Sequence, residues 1–183
     1  HGVPSVQEPR LTDTDVLRLP TRFLRSLSER CGRAGPDAVA ALRESGRELG
    51  DELVDELSDD RHPDDAPPEV FWEGVAELLS GRGLGELSFS VSTPAVAELR
   101  LRGGPEAGPD AASNGGRGCP FTTGLLAGLL TAAAEEPVAV LEVGCRADGD
   151  GACRWLAGAE SALEALRARL EDGASVREAM EAS

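Results

Sequence analysis

The sequence predicts an α+β fold, an antiparallel sheet of about four strands covered by helices, from three observations. Apolar residues recur at steps of three and four over long stretches in the first half and again near the C-terminal end. The period falls to two in short segments such as "ELSFSVS" and "VAELRLR". Those segments come in adjacent pairs joined by turn-forming residues, as hairpins do. The resulting order is helices, two strands, a helix, two strands and a helix, which matches a sheet with helices packed on it.

Residues 1–35 read as an arm of about a dozen residues followed by a helical segment, "TDTDVLRLPTRFLRSLSERCG", with Leu17, Leu19, Phe23, Leu24 and Leu27 at partly helical spacing. Pro20 is expected to interrupt any helix there, since proline lacks the amide donor and its ring clashes with the preceding turn. Residues 36–183 read as the main domain. Its first helix carries Val39, Leu42, Gly46, Leu49, Leu53 and Leu57 on one stripe. Glycine inside a helix costs about 1 kcal/mol relative to alanine, so Gly46 and Gly50 call for close packing against a neighbour. "SDDRHPDDAPP" is a charged, proline-rich loop, and Pro68 opens a helix with Val70, Phe71, Val75, Leu78 and Leu79 as its apolar positions. After the two-strand hairpin around Thr93-Pro94, "GGPEAGPDAASNGGRG" has loop composition. Cys119-Pro120 starts an apolar helix that Pro137 ends, and its Gly124 and Gly128 are expected to let it lie close to the sheet. "VAVLEVGCR" and "ACRWLA" are strands around an "ADGDG" turn, and "SALEALRARLEDG" and "SVREAMEA" close the chain as helices.

The formal charge is −15, from 33 acidic against 18 basic residues, and the chain contains no lysine and no tyrosine. A field of that sign repels nucleic acid and anionic membrane surfaces, so neither is an expected partner. The start, "HGVPSVQEPR", lacks a basic segment followed by an apolar one, and the strongly apolar stretch 121–134 is too short to span a bilayer. A cytoplasmic location is therefore expected, where neighbouring thiols are more often metal ligands or reactive groups than disulfides.

Three of the four cysteines flank the apolar helix and the last hairpin. Cys119 at the helix start, Glu142 and Cys145 near a strand end, and Cys153 on the returning strand converge if the helix packs against the open end of the hairpin. Three thiolates and a carboxylate form a closed tetrahedral set that suits zinc. Glu142 and Cys145 are three apart and would point to opposite faces of a regular strand, so Gly144 must supply a bulge or bend. Buried structural thiols are the competing reading. Cys31 stands outside the set. His1 and His62 are placed at the terminus and in a charged loop, where neither makes a credible catalytic base, and "GRGLG" lacks the spacing of a dinucleotide-binding loop.

The run C-P-F-T-T-G-x-L-A-G from Cys119, then E-x-x-C at Glu142 and Cys145, then Cys153 eight residues on, resembles the C-terminal signature of the 4-vinyl reductase domain family. That family is similar to the sensor domains of phenol- and toluene-responsive bacterial activators and, distantly, to the core subunits of TRAPP trafficking complexes. The likeness extends upstream through "RESGRELG" and "GRGLGELSFSV". It implies zinc as cofactor, with Cys119, Glu142, Cys145 and Cys153 as ligands tying the helix start to the hairpin. It further implies a homodimer and a non-catalytic domain that binds a small hydrophobic or aromatic molecule near the metal. Candidate pocket residues are Trp72, Val96, Thr123, Ala127 and Val140, each with ordinary core packing as the alternative. Phenol sensors read the hydroxyl with a histidine and a tryptophan upstream of the first zinc cysteine; here that stretch has no suitably placed histidine, and its one tryptophan is Trp72, on a helix. Two other functions compete: a reactive or acyl-carrying Cys119 at a helix N-terminus, where thiol pKa values fall, and a subunit-like interaction protein with a vestigial pocket.

Overall fold

The computed structural model describes residues 19–57, 67–93, 95–108 and 118–181. The first helix, α1 (Thr21–Ala34), begins directly after Pro20, which sits in its N-cap position. The described helix thus lies wholly after Pro20, where the sequence placed an interruption, and at the N-cap the amide that proline lacks is not needed; Leu17 lies outside the described residues. At Gly35 the chain turns into α2 (Pro36–Leu53), which stops one turn short of the predicted Leu57. Val54–Glu56 tightens into a 3-10 turn and Leu57 is already extended, a common way for a last turn to end. Helix α3 (Pro68–Gly81) has proline in its first turn.

The strands are β1 (Glu86–Thr93), β2 (Val96–Arg102), β3 (Ala139–Gly144) and β4 (Cys153–Gly158), with α4 (Pro120–Ala134) between the two hairpins. Helices α5 (Glu160–Glu171) and α6 (Val176–Glu181) follow. The strands form one antiparallel sheet in the order β1-β2-β4-β3, as the α+β pattern predicts. The register places Leu87, Leu101 and Cys153 in one cross-strand row, then Phe89, Leu99, Trp155 and Glu142, then Val91, Ala97, Ala157 and Val140. Residues two apart on a strand share a face, so these three rows lie on the same side of the sheet.

On that side a buried core joins Leu99, Leu101 and Trp155 to Phe71, Val75 and Leu79 of α3 and to Leu125, Leu126 and Leu129 of α4. The opposite face of β2 and β4 gives Val96 and Leu156 to a smaller core with Leu163, Leu166 and Ala179 of α5 and α6. The two cores together sandwich the β2–β4 centre of the sheet between helices.

Helices α2 and α4 run side by side in the same direction with almost nothing between them. A methyl group added at Gly46 or Gly50 would fall 2.1 Å from the carbonyl oxygen of Phe121 or Leu125. One added at Gly124 or Gly128 would fall 1.8 or 2.0 Å from the carbonyl oxygen of Arg43 or Arg47. The close neighbour expected for Gly46 and Gly50 is therefore α4. Gly124 and Gly128 face α2, not the sheet as their spacing suggested, because the sheet side of α4 is taken by leucines. No helix among the described residues is long and apolar enough to cross a membrane.

Candidate metal centre

Cys119, Glu142, Cys145 and Cys153 converge where α4 begins, and one ligand atom from each lies within 4.8 Å of every other. The sulfur of Cys119 is 3.6 Å from that of Cys153 and 3.8 Å from that of Cys145, and the latter two are 3.8 Å apart. A disulfide requires about 2.05 Å, so these are three separate, buried thiols. Such a group of donors can hold a metal ion.

Each donor is delivered by a local device. Cys119 is the N-cap of α4 and follows Gly118, whose φ of +101° and whose 2.7 Å approach of a would-be Cβ to Glu142 Oε2 both require glycine. Glu142 and Cys145 reach the same side because β3 bulges: Glu142 pairs with Trp155 and Gly144 with Arg154, so Val143 is an extra residue. This is the irregularity the three-residue spacing demanded. A 3-10 turn, Arg146–Asp148, then returns the chain to Cys153 at the first position of β4.

The electrostatics are those of a site short of positive charge. Glu142 Oε2 accepts the Cys119 backbone N–H at 2.6 Å, while Oε1 is buried with no hydrogen-bond partner among the described residues. Burial pushes the Glu142 carboxyl up to about 8, against the opposing pull of the Cys119 N–H. Cys153, facing Cys119 and Cys145 as donors and receiving the Arg146 backbone N–H at 3.5 Å, is drawn down to about 4. Cys119 is pushed strongly up by donating to Cys145 and Cys153 and by burial. A bound cation would favour the ionised form of all four donors.

Glu106 completes the helix start and was not singled out by the sequence. Only 3% exposed, it lies in the glycine- and proline-rich segment that reads as loop. Its carboxylate accepts the backbone N–H groups of Phe121 and Thr122 at 3.0 and 2.8 Å, the Thr122 hydroxyl at 2.8 Å and the Ser28 hydroxyl of α1 at 3.0 Å. It thus caps α4 from outside the helix, satisfying amides that the intervening Cys119 side chain leaves free. Burial raises its pKa, with the Thr122 and Phe121 donors opposing. A lone acid in a loop gives no periodic signal; the one available clue was a glutamate among glycines and prolines a short way before a proline-started helix.

An apolar cavity of about 270 Å³ lies at the other end of α4, between α3, the start of β3 and the last turns of α4. Its walls include Phe71, Trp72, Ala97, Leu130, Ala133 and Ala157, and no lining residue carries a charge or a hydroxyl. Ala157 is four residues along β4 from Cys153, about 13 Å at the rise of a strand. Of the five residues expected to line a pocket, Trp72 lines this cavity, stacked on Phe89 with ring centroids 5.0 Å apart. Val96 faces the smaller core on the opposite side of the sheet. Thr123 sits between cavity and cysteines, its hydroxyl accepting Trp155 Nε1–H at 2.9 Å and donating to the Cys119 carbonyl at 2.8 Å. Ala127 is half-buried on α4, and Val140 borders a groove outside the β3 edge. These five residues are not gathered around one space. The residues that do surround it, four alanines among them, have no reactive or charged group to mark them in a sequence.

No protein family profile matches the chain, and no curated protein is significantly similar to it in sequence. Solved structures are similar in three dimensions. The phenol-responsive sensory domain of the transcription activator PoxR, solved with phenol, superimposes with a TM-score of 0.64 at 15% identity, covering 81% of this chain and 83% of that one. A trafficking protein particle complex subunit 3 from Naegleria fowleri, covalently bound to palmitic acid, gives 0.58 at 14% identity over 75% and 91% of the two chains. A vinyl-4-reductase family protein from Methanocaldococcus jannaschii gives 0.49 at 17% identity over 79% and 83%. The chain therefore has the fold shared by the PoxR sensory domain and the trafficking-complex subunit, a helix-covered antiparallel sheet; in this chain a buried three-cysteine, one-glutamate cluster lies at the start of α4.

Proposed function

We propose that this chain is a zinc-stabilised, non-catalytic, sensor-type domain that binds a small apolar or aromatic molecule. The observation that carries the metal is the sulfur spacing. Four ligands at the corners of a tetrahedron, with zinc–sulfur bonds of about 2.3 Å, put sulfurs about 3.8 Å apart, and the three separations here are 3.6, 3.8 and 3.8 Å. The unpartnered Glu142 Oε1 supplies the fourth donor. Bound there, zinc would supply charge and cross-linking, holding the start of α4 to the β3–β4 hairpin. Free thiols this close suit a reducing, cytoplasmic setting, and the reading includes the homodimer that the family resemblance implies.

The cavity at the far end of α4 supports the ligand side of the reading, as does the phenol bound by the PoxR domain. Here the occupant is a hydrocarbon in preference to an alcohol. A hydroxyl buried without a partner costs about 1–3 kcal/mol; the walls offer no carboxylate, hydroxyl or imidazole, their one polar side-chain group being the indole N–H of Trp72, which can donate to a hydroxyl oxygen but cannot accept its proton. Little favours a reactive Cys119, since its thiol is 1% exposed and held protonated by its neighbours.

Elemental analysis of the purified chain tests the metal: about one zinc per chain, reduced by Glu142→Ala, is expected, and a metal-free native protein with rapidly alkylated thiols would refute it. Melting curves with toluene and with phenol test the pocket. Toluene should raise the midpoint more than phenol; no response to either would remove the sensor reading and leave a zinc-stabilised scaffold. Light scattering reports the dimer.

A further inference from the structure

Helix α1 has no buried residue. Its inner side is nevertheless fixed: Ser28 donates to Glu106, and Arg25 lies against the backbone of Gly108. Its outer side is unusual for this chain. Phe23 and Leu27 on α1 and Leu19 just before its N-cap Pro20, 48%, 36% and 50% exposed, are three of the four exposed large apolar residues among those described. Arg22, Arg30 and Arg33 are exposed on the same side of the helix at 100° per residue. None of the three makes an ion pair with a described residue.

The charge is as distinctive as the apolar surface. The fourteen residues of α1 hold four arginines and one glutamate, whereas α2 holds five acids and two arginines and α3 three glutamates and no base. On a chain of net charge −15, α1 is a basic, amphipathic island.

We infer that this face is a docking surface for an acidic amphipathic helix of a partner protein. Leu19, Phe23 and Leu27 would pack on the partner's apolar stripe, and Arg22, Arg30 and Arg33 would meet its carboxylates. A second copy is a poor fit, since antiparallel pairing of two α1 faces sets Arg22 of one against Arg30 of the other. An anionic bilayer is a poor fit as well. It is a plane wider than one helix and would also face the acidic surfaces beside α1, while a helix about 10 Å across covers the basic strip alone. The inference stands on α1 and is independent of the metal and of the cavity.

The test uses the full chain and a fluorescent synthetic helix with leucine at heptad positions a and d and glutamate at the flanking positions, followed by anisotropy at low and high salt. Saturable binding that weakens with salt is expected, with Phe23→Ser and Arg30→Glu each losing about tenfold or more and Arg100→Glu on β2 losing nothing. Circular dichroism melts of the variants should match the parent, since the substituted side chains are exposed. Absent binding, equal binding by Phe23→Ser, stronger association with phosphatidylserine vesicles than with the peptide, or self-association abolished by Phe23→Ser would each overturn the inference.

Discussion

At its N-terminal end α4 meets three sulfurs and two carboxylates; at its C-terminal end the same helix offers only Leu130, Ala133 and Ala134 to an apolar cavity. The first end is over-determined. Glu106, Glu142 and Thr123 each serve two or more structural demands, so one substitution leaves several groups unpaired. The second end is specified by the smallness of its residues and has no directional partner to lose. Stability should therefore depend on the polar end and ligand response on the apolar end.

Cys145→Ser gives the largest contrast. It removes a donor from the cluster, and the melting midpoint should fall on the order of 10 °C or more, measured with and without added zinc. Gly124→Ala comes next, because its methyl group would lie 1.8 Å from the Arg43 carbonyl. Neither backbone can rotate away, so ~3 kcal/mol of destabilisation is expected in urea unfolding. Glu106→Gln replaces one of two accepting oxygens by a donor, leaving a buried donor at the helix start unpaired, and should cost about 1–3 kcal/mol. Ala133→Leu should change stability least, yet it fills the cavity and should abolish any midpoint shift with toluene. If Ala133→Leu proved as damaging as Cys145→Ser, the division between the two ends would collapse.

Acidity sharpens the same contrast. In metal-free protein the Glu142 carboxyl is raised from 4.5 to about 8, so the folded state holds its proton more tightly than the unfolded one. Its contribution to stability is fully present below pH 4.5 and is lost as pH rises toward about 8. With metal bound the ligands must be deprotonated, and stabilisation grows over the same range. In stripped protein the Glu142 loss is opposed by Cys153, whose thiol, drawn down to about 4, adds stability as pH rises over the same range, so melting curves of reloaded protein should rise with pH more steeply than those of stripped protein.

The elements and the four converging donors were legible because they carry period or chemistry. Leu42, Leu49 and Leu53 mark a stripe, alternation marks β1 and β2, and Glu142 and Cys145 at a spacing wrong for a strand announced a bulge, expected at Gly144 and found with Val143 as the extra residue. The cap at Glu106 was not legible, because a contact between a loop and a helix fifteen residues later leaves no pattern in either. Gly124 and Gly128 signalled a close approach but not its target, since small residues fit a helix as well as a sheet. The cavity was least legible, being made by what alanine and glycine omit.

The glycine contacts between α2 and α4 have a mechanical corollary. Where side chains separate two helices, a small displacement of one is absorbed by rotamer changes and dies out within a layer. Gly46, Gly50, Gly124 and Gly128 leave no such cushion, so the two helices can shift only as one plank. Whatever wedges apart the alanine-lined end of α4 must tilt α2 with it, and a lever of that kind delivers the motion to the distant sulfur end undiminished.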